Sequence, residues 1–218
     1  MTLLLGLLLL ATPADPVTVH GTLPPRARLE LRAPGSEERI VAETSPFKLQ
    51  VAPGRYEIIL TYLSGRRARA MTWFVSPEVE LHAEPEASKR VIPPDYDLLA
   101  DWHVVNESGQ TVGGARVTLQ VQPASGPAES LKVWAMVADE EKEIAGVLET
   151  TPDGRFPFRV RESRLDVDRI VAIQVSVETQ GYQPLHLRLN PVLRFSPSGH
   201  LYAKYPEEDL ELKLRKQP

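Results

Sequence analysis

Arg28-Leu29-Glu30-Leu31-Arg32 and Phe47-Lys48-Leu49-Gln50-Val51 alternate apolar and polar residues without a break. Such period-two alternation puts successive side chains on opposite faces of an extended chain, one face buried and the other wet. Further segments with strand character are Tyr56 to Tyr62, Ala70 to Val75, Glu78 to His82, Ala115 to Gln122, Lys132 to Ala138, Phe156 to Val160, Ala172 to Glu178, Leu185 to Asn190 and Leu210 to Leu214. All are short and bounded by Pro, Gly, Asp and Ser, the pattern of β-sandwiches rather than βαβ layers. Twenty prolines in 218 residues mark turns and would break most long helices. Helical character is confined to Glu162 to Arg169, with a turn near Asp139 to Glu143. The expectation is an all-β chain.

Working outward, Pro85-Glu86-Ala87-Ser88-Lys89-Arg90 through Pro93-Pro94-Asp95 is polar, lacks alternation and is expected to be a linker that Pro93-Pro94 stiffens. It separates a small module, 16–84, from a larger one, 96–214. The first is near the lower size for an independent core and is expected to lean on its neighbour. At the amino terminus, Leu3 to Leu10 is almost pure leucine, followed by Ala11-Thr12-Pro13-Ala14 and Asp15. A short apolar run ending in small residues resembles a secretory signal, so 1–14 is expected to be a signal-like segment with Ala14 the last residue removed. No Lys or Arg precedes Arg26. The run is far shorter than the ~20 apolar residues of a membrane helix, so no stable membrane span is expected.

Composition narrows the function. Net charge is −4, from 25 basic and 29 acidic residues, and the basic residues are dispersed, so the positive stripe that nucleic acid requires is missing. Cysteine is absent, which excludes disulfides, thiolate metal sites and a cysteine nucleophile.

Val104-Val105-Asn106-Glu107-Ser108-Gly109-Gln110-Thr111-Val112-Gly113-Gly114-Ala115-Arg116-Val117-Thr118-Leu119 resembles the opening strand, turn and second strand of carboxypeptidase regulatory-like domains. Thr150-Thr151-Pro152-Asp153-Gly154-Arg155-Phe156 is similar to the family's Thr before Asp-Gly-x-Phe, and Gly181-Tyr182-Gln183-Pro184 to its Gly-Tyr turn. The first module carries part of the pattern, Phe47 and then Pro53-Gly54-Arg55-Tyr56, without the Ser-Gly turn or the Asp-Gly. The resemblance implies two tandem transthyretin-like or immunoglobulin-like β-sandwich domains and a non-catalytic accessory role. Residue chemistry gives the motifs structural work. Gly109 and Gly154 sit where hairpin turns want a positive φ, and Asp153 can close its turn. Phe156, Phe158, Val117 and Leu119 are expected to point inward, and Tyr56 and Tyr182 to bury their rings.

The sequence carries none of the local constellations by which a catalytic site is read. His20, His82, His103, His186 and His200 stand singly, without zinc-ligand spacing. Gly-x-Ser-x-Gly does not occur, nor does the Tyr-Arg-Gly-Ser motif of the transthyretin-like hydroxyisourate hydrolases; the chain there reads Lys213-Leu214-Arg215-Lys216-Gln217-Pro218. Intradiol dioxygenases hold iron with two tyrosines and a His-x-His pair, whereas Tyr202 and Tyr205 lie near His200 without such a pair. The acidic groups Asp95, Asp97, Asp101 and Asp139-Glu140-Glu141 with Glu143 lack the glycine and terminal glutamate of a calcium loop, and Glu207-Glu208-Asp209 is a wet turn. No catalytic residue, cofactor or metal ligand is therefore assigned. Candidate surface-binding residues are the aromatics Trp102, Trp134 and Tyr182 and the basic group Arg66, Arg67 and Arg69. The expected function is a non-catalytic, exported β-sandwich protein, periplasmic or at the cell surface, that binds or scaffolds an envelope protein or glycan. The alternative is a hydrolase or metal-dependent enzyme whose histidines and acids converge only in three dimensions.

Overall fold

The computed structural model describes residues 15–87, 96–137, 140–161, 169–205 and 209–217. The signal-like segment 1–14, the Pro93-Pro94 pair and most of the helical candidate at 162–169 lie outside the described residues. Among those described, regular structure is all strand: β1 (Val17–Thr22), β2 (Arg28–Arg32), β3 (Ile40–Ala42), β4 (Phe47–Val51), β5 (Gly54–Thr61), β6 (Arg67–Phe74), β7 (Glu78–Ala83), β8 (Tyr96–Asn106), β9 (Arg116–Pro123), β10 (Glu129–Ser130), β11 (Lys132–Val137), β12 (Glu140–Ala145), β13 (Val147–Glu149), β14 (Arg155–Arg161), β15 (Ile170–Glu178), β16 (Leu185–Leu189), β17 (Val192–Phe195), β18 (Leu201–Lys204) and β19 (Glu211–Leu214). No helix among these residues is long and apolar enough to cross a membrane.

Four sheets form two sandwiches. Sheet I, ordered β18-β17-β7-β1-β4, faces sheet II, β3-β2-β5-β6; sheet III, β12-β11-β14-β8-β19, faces sheet IV, β10-β9-β15-β16, with β13 also pairing β9. The alternation of β2 does what its pattern demands: Leu29 and Leu31 are fully buried in the first core with Val19, Ile58, Leu60 and Phe74. In the second core Trp102 meets Phe156 and Phe158 edge-on, at centroid separations of 6.0 and 5.0 Å, geometry that aromatic quadrupoles favour.

The chain does not run through the two modules in succession. Residues 192–204, expected within the larger module, return as the hairpin β17–β18, and β17 pairs in parallel with β7 of the first sandwich. Leu193, Phe195 and Leu201 enter the first core, while Ala203 of β18 and Tyr205 just beyond it enter the second. The expectation that the first module leans on its neighbour thus takes a definite form, a borrowed hairpin. The segment Asp139 to Glu143 also differs from expectation: from Glu140 onward it is an edge strand paired to β11 in continuous register. Its Glu-Glu-Lys-Glu sequence hides the strand because both faces are exposed, and charge on an edge discourages pairing with other chains.

The family-like motifs are turn hardware. Gly109 and Gly154 have φ of +76° and +77°, and Val104 N donates to Gly154 O at 2.8 Å. A hydrogen bond from Thr151 Oγ1 holds the Asp153 carboxyl below its ordinary pKa, with lesser help from Arg155. Thr150 is buried; its Oγ1 accepts from Ala115 N at 2.9 Å and donates to Val112 O at 3.0 Å. Replacing Thr150 by Val keeps the shape and strands both backbone groups, so urea denaturation should show a loss of about 2–3 kcal/mol.

Glu84, just past β7, ties the junction. Its backbone carbonyl accepts from Tyr62 Oη at 3.0 Å and its carboxylate accepts from Tyr202 Oη of β18. Burial first pushes both phenols up to about 12, with the Glu84 charge adding to each. A folded-state pKa above the unfolded value of 10.0 contributes stability that is complete below pH 10 and is lost as pH rises through 12. Stability measured by urea titration should therefore fall steeply across that window, and Tyr202→Phe should flatten the fall without altering the acid limb.

Candidate binding site

The site begins with a proline in the wrong place. Pro157 lies in β14, a central strand, where it cannot donate to a ladder. Strand β14 pairs with β8 along its whole length, but with β11 only at Trp134–Arg159 and Ala135–Phe158. Beyond that point β11 stays with β12 through Val137–Glu140, so sheet III opens between Met136 and Pro157. The opening is a cleft of about 370 Å³ whose floor is Trp134, Met136 and Pro157 and whose walls carry Asp101, Glu141, Arg159 and Asp209. Alternation aims these residues outward, since Val133, Ala135, Phe156 and Phe158 between them are buried.

Met136, in the floor of the cleft, is 60% exposed. Two of the carboxylates are paired: Arg159 holds Glu141 and Arg155 holds Asp101 through Oδ2, while Asp209 adds a third. The other Asp101 oxygen, Oδ1, is buried without a hydrogen-bond partner among the described residues. A larger polar groove of about 520 Å³ lies at the opposite edge of the sheet, between Glu107, Lys213 and Arg215, without an aromatic side chain. The pKa of Glu211, on that edge strand, is lowered chiefly by its hydrogen bond to Lys213 and secondarily by His103.

The structure separates the aromatic candidates. Trp134 lies in the cleft. Trp102 is 0% exposed and is withdrawn as a surface residue, because its parity along β8 matches that of Leu98, Ala100 and Val104, all in the core. Tyr182 is half-buried against the second core and bridges to Lys216 beyond β19. Three strand spacings, ~14 Å, lie between β11 and β19, so Tyr182 and Trp134 form no shared platform. Arg66, Arg67 and Arg69 are exposed at the β5–β6 hairpin, and among the described residues only Arg69 is ion-paired, to Glu57 at 3.4 Å. Sequence reasoning missed Asp101 as a cleft wall, together with Met136, Pro157 and Arg159. A proline inside the strand candidate Phe156 to Val160 was the readable signal.

The histidines spread over several sheets, and among the described residues no three His, Asp or Glu side chains converge into a metal-holding group. His20 meets Glu78 at 3.2 Å and His103 meets Glu211 at 3.3 Å. His186 meets Ser176 at 3.0 Å. The tyrosines do not suit an iron-tyrosinate site: Tyr205 is packed in the second core, and Tyr202, held by Glu84 with its pKa raised, favours the neutral phenol. A hydroxyl–imidazole–carboxylate chain does occur on the outer face of sheet I, where His82 Nδ1 meets Thr22 Oγ1 at 2.6 Å and Nε2 meets Glu80 Oε1 at 2.5 Å. Glu80-Leu81-His82, an i, i+2 pair on one strand face, was its sequence signal.

The fold defines the class, an all-β sandwich protein. No family model matches the chain, and no curated protein does. Among solved structures the chain is similar to 3-chlorocatechol 1,2-dioxygenase from Rhodococcus opacus, with a TM-score of 0.35 and 14% identity over 66% of this chain and 69% of that one. It is also similar to catechol 1,2-dioxygenase from an Acinetobacter species, with a TM-score of 0.32 and 12% identity over 64% and 58%. A third likeness is to the C-terminal fragment of the pilus adhesin SpaC from Lactobacillus rhamnosus, with a TM-score of 0.25 and 11% identity over 94% and 98%.

The contrast between the two tryptophans is measurable. Trp102→Ala should cost about 3–5 kcal/mol in chemical denaturation. Trp134→Ala should cost about 1 kcal/mol or less in the same measurement.

Proposed function

We propose that this protein is a non-catalytic, exported β-sandwich protein that binds or scaffolds at the cell envelope, and that its cleft on sheet III holds a glycan. The reading takes the second sandwich as a carboxypeptidase regulatory-like accessory module, in keeping with the motifs at Asn106 to Gly109 and Asp153-Gly154. The observation that carries it is the cleft itself: an aromatic and apolar floor ringed by both acceptors and donors. Sugar rings present apolar C–H faces and hydroxyls that both give and take hydrogen bonds. Trp134 and Met136 match the first property; Asp101, Glu141 and Asp209 as acceptors, with Arg159 as donor, match the second. A cation would meet Arg159 and an anion would meet the carboxylates.

The test is titration of the full chain with a panel of soluble envelope oligosaccharides, read by tryptophan fluorescence and calorimetry. Binding should weaken at least about tenfold in Trp134→Ala, with the midpoint of thermal unfolding lowered by no more than about 4 °C. Binding of peptides instead of sugars would turn the reading to a protein partner, and binding of neither would end it. Recovery of the intact amino terminus from a cytosolic fraction would remove export. The rival, a hydrolase, draws on the Thr22–His82–Glu80 chain; ester hydrolysis above buffer that vanishes in His82→Ala would put it in first place.

A further inference from the structure

One ion pair of the sheet III cleft crosses its floor. Arg159 of β14 stands in register with Trp134 of β11, and Glu141 of β12 with Met136 of β11. The strands that carry the pair lie on either side of β11, two spacings or ~10 Å apart, yet Arg159 and Glu141 meet. Each side chain therefore extends over β11 at Ala135, whose own side chain turns into the core. The guanidinium–carboxylate bridge lies between Trp134 and Met136 and divides the apolar floor in two.

The charges around that bridge are unequal. Asp101, Glu141 and Asp209 border the cleft, and among the described residues Arg159 is the one cation in its lining. Arg155 holds Asp101 from outside the lining, and Arg159 holds Glu141. Asp209 precedes β19, which lies beyond β8 from β14 in strand order, so a group seated on Trp134 or Met136 is nearer the guanidinium than that carboxylate. Hydrogen-bond chemistry points the same way. A sugar hydroxyl can accept from Arg159 and donate to Glu141, whereas a protonated amine only donates and offers the guanidinium nothing. Without Arg159 the cleft would be an aromatic floor among three carboxylates, the environment of a cation.

We propose that Arg159 sets the charge specificity of the cleft, admitting uncharged sugars and excluding sugars that carry a free amine. This rests on the glycan reading of the cleft and deepens it, naming the class of sugar and the residue that selects it. Glu141 positions the guanidinium over the floor. The side chains of the pair are 36% and 38% exposed, and a pair so open contributes only about 0–1 kcal/mol to stability, so substitution at Arg159 should leave the fold in place.

The probes are the N-acetylglucosamine tetramer of chitin and the same tetramer with its acetyl groups removed, which share a backbone and differ in charge. Each is titrated into the full chain by calorimetry at about pH 6, where such amines are protonated and ordinary carboxylates ionised. The parent is expected to bind the acetylated tetramer about tenfold more tightly than the amine, the size of one charge at such distances. Arg159→Gln should reverse that order, with the amine's gain shrinking as salt is added. Arg159→Lys, which keeps the charge, should hold the parental order. Adding Trp134→Ala to Arg159→Gln should remove the gain, which locates it in the cleft. Equal binding of the two forms by the parent, tighter binding of the amine, or an order unchanged in Arg159→Gln would overturn the inference and leave the cleft a glycan site. Binding of neither form by the parent would overturn it too, whereas the glycan reading itself falls only if the whole oligosaccharide panel fails.

Discussion

The return of β17–β18 to the first sandwich is the constraint on which the arrangement of this protein rests. A sandwich of roughly seventy residues buries too small a fraction of its surface to be comfortable alone. The hairpin enlarges it at the point of need: β17 covers the edge of β7 that would otherwise present unpaired backbone groups, and Phe195 adds a fully buried ring to the core. The same hairpin then delivers Ala203 and Tyr205 to the other core. The chain consequently crosses between sandwiches after β7, before β17 and after β18. Glu84, gripping Tyr62 and Tyr202, sits where those passes meet.

Much of the sheet structure was legible because alternation is local. Segments such as 28–32 and 47–51 carry their burial pattern on their face, and they fold as strands with the expected bounds. The β17–β18 hairpin was not legible as part of the first sandwich, since pairing between residues 80 and 192 is a property of two distant segments and no local periodicity encodes it. Strand β12 escaped because exposure on both faces removes the apolar half of the alternation. Of the two tryptophans taken as surface candidates, Trp102 could have been placed correctly: Asp101 and His103 flank it, so parity points it inward. Around Trp134 every neighbour from Val133 to Val137 is apolar, and there parity is silent.

The candidate site shows how a sandwich makes a concavity without a cavity in its core. Close packing inside each sandwich leaves little room, and a flat sheet face offers no enclosure. Pro157 solves this by interrupting one ladder while leaving its neighbour intact, so that the β11–β12 hairpin parts from β14 and apolar side chains line the parting. The interruption costs ladder hydrogen bonds that a β-branched residue at 157 would have kept. The parting leaves Met136 exposed and Trp134 half-buried on the outer face of the sheet.

Apart from the linker, whose Pro93-Pro94 pair lies outside the described residues, the two sandwiches are joined through β18, which gives Leu201 to one core and Ala203 to the other. Loosening β18 would therefore disturb both cores at once, because the strand that completes the first sandwich also packs into the second.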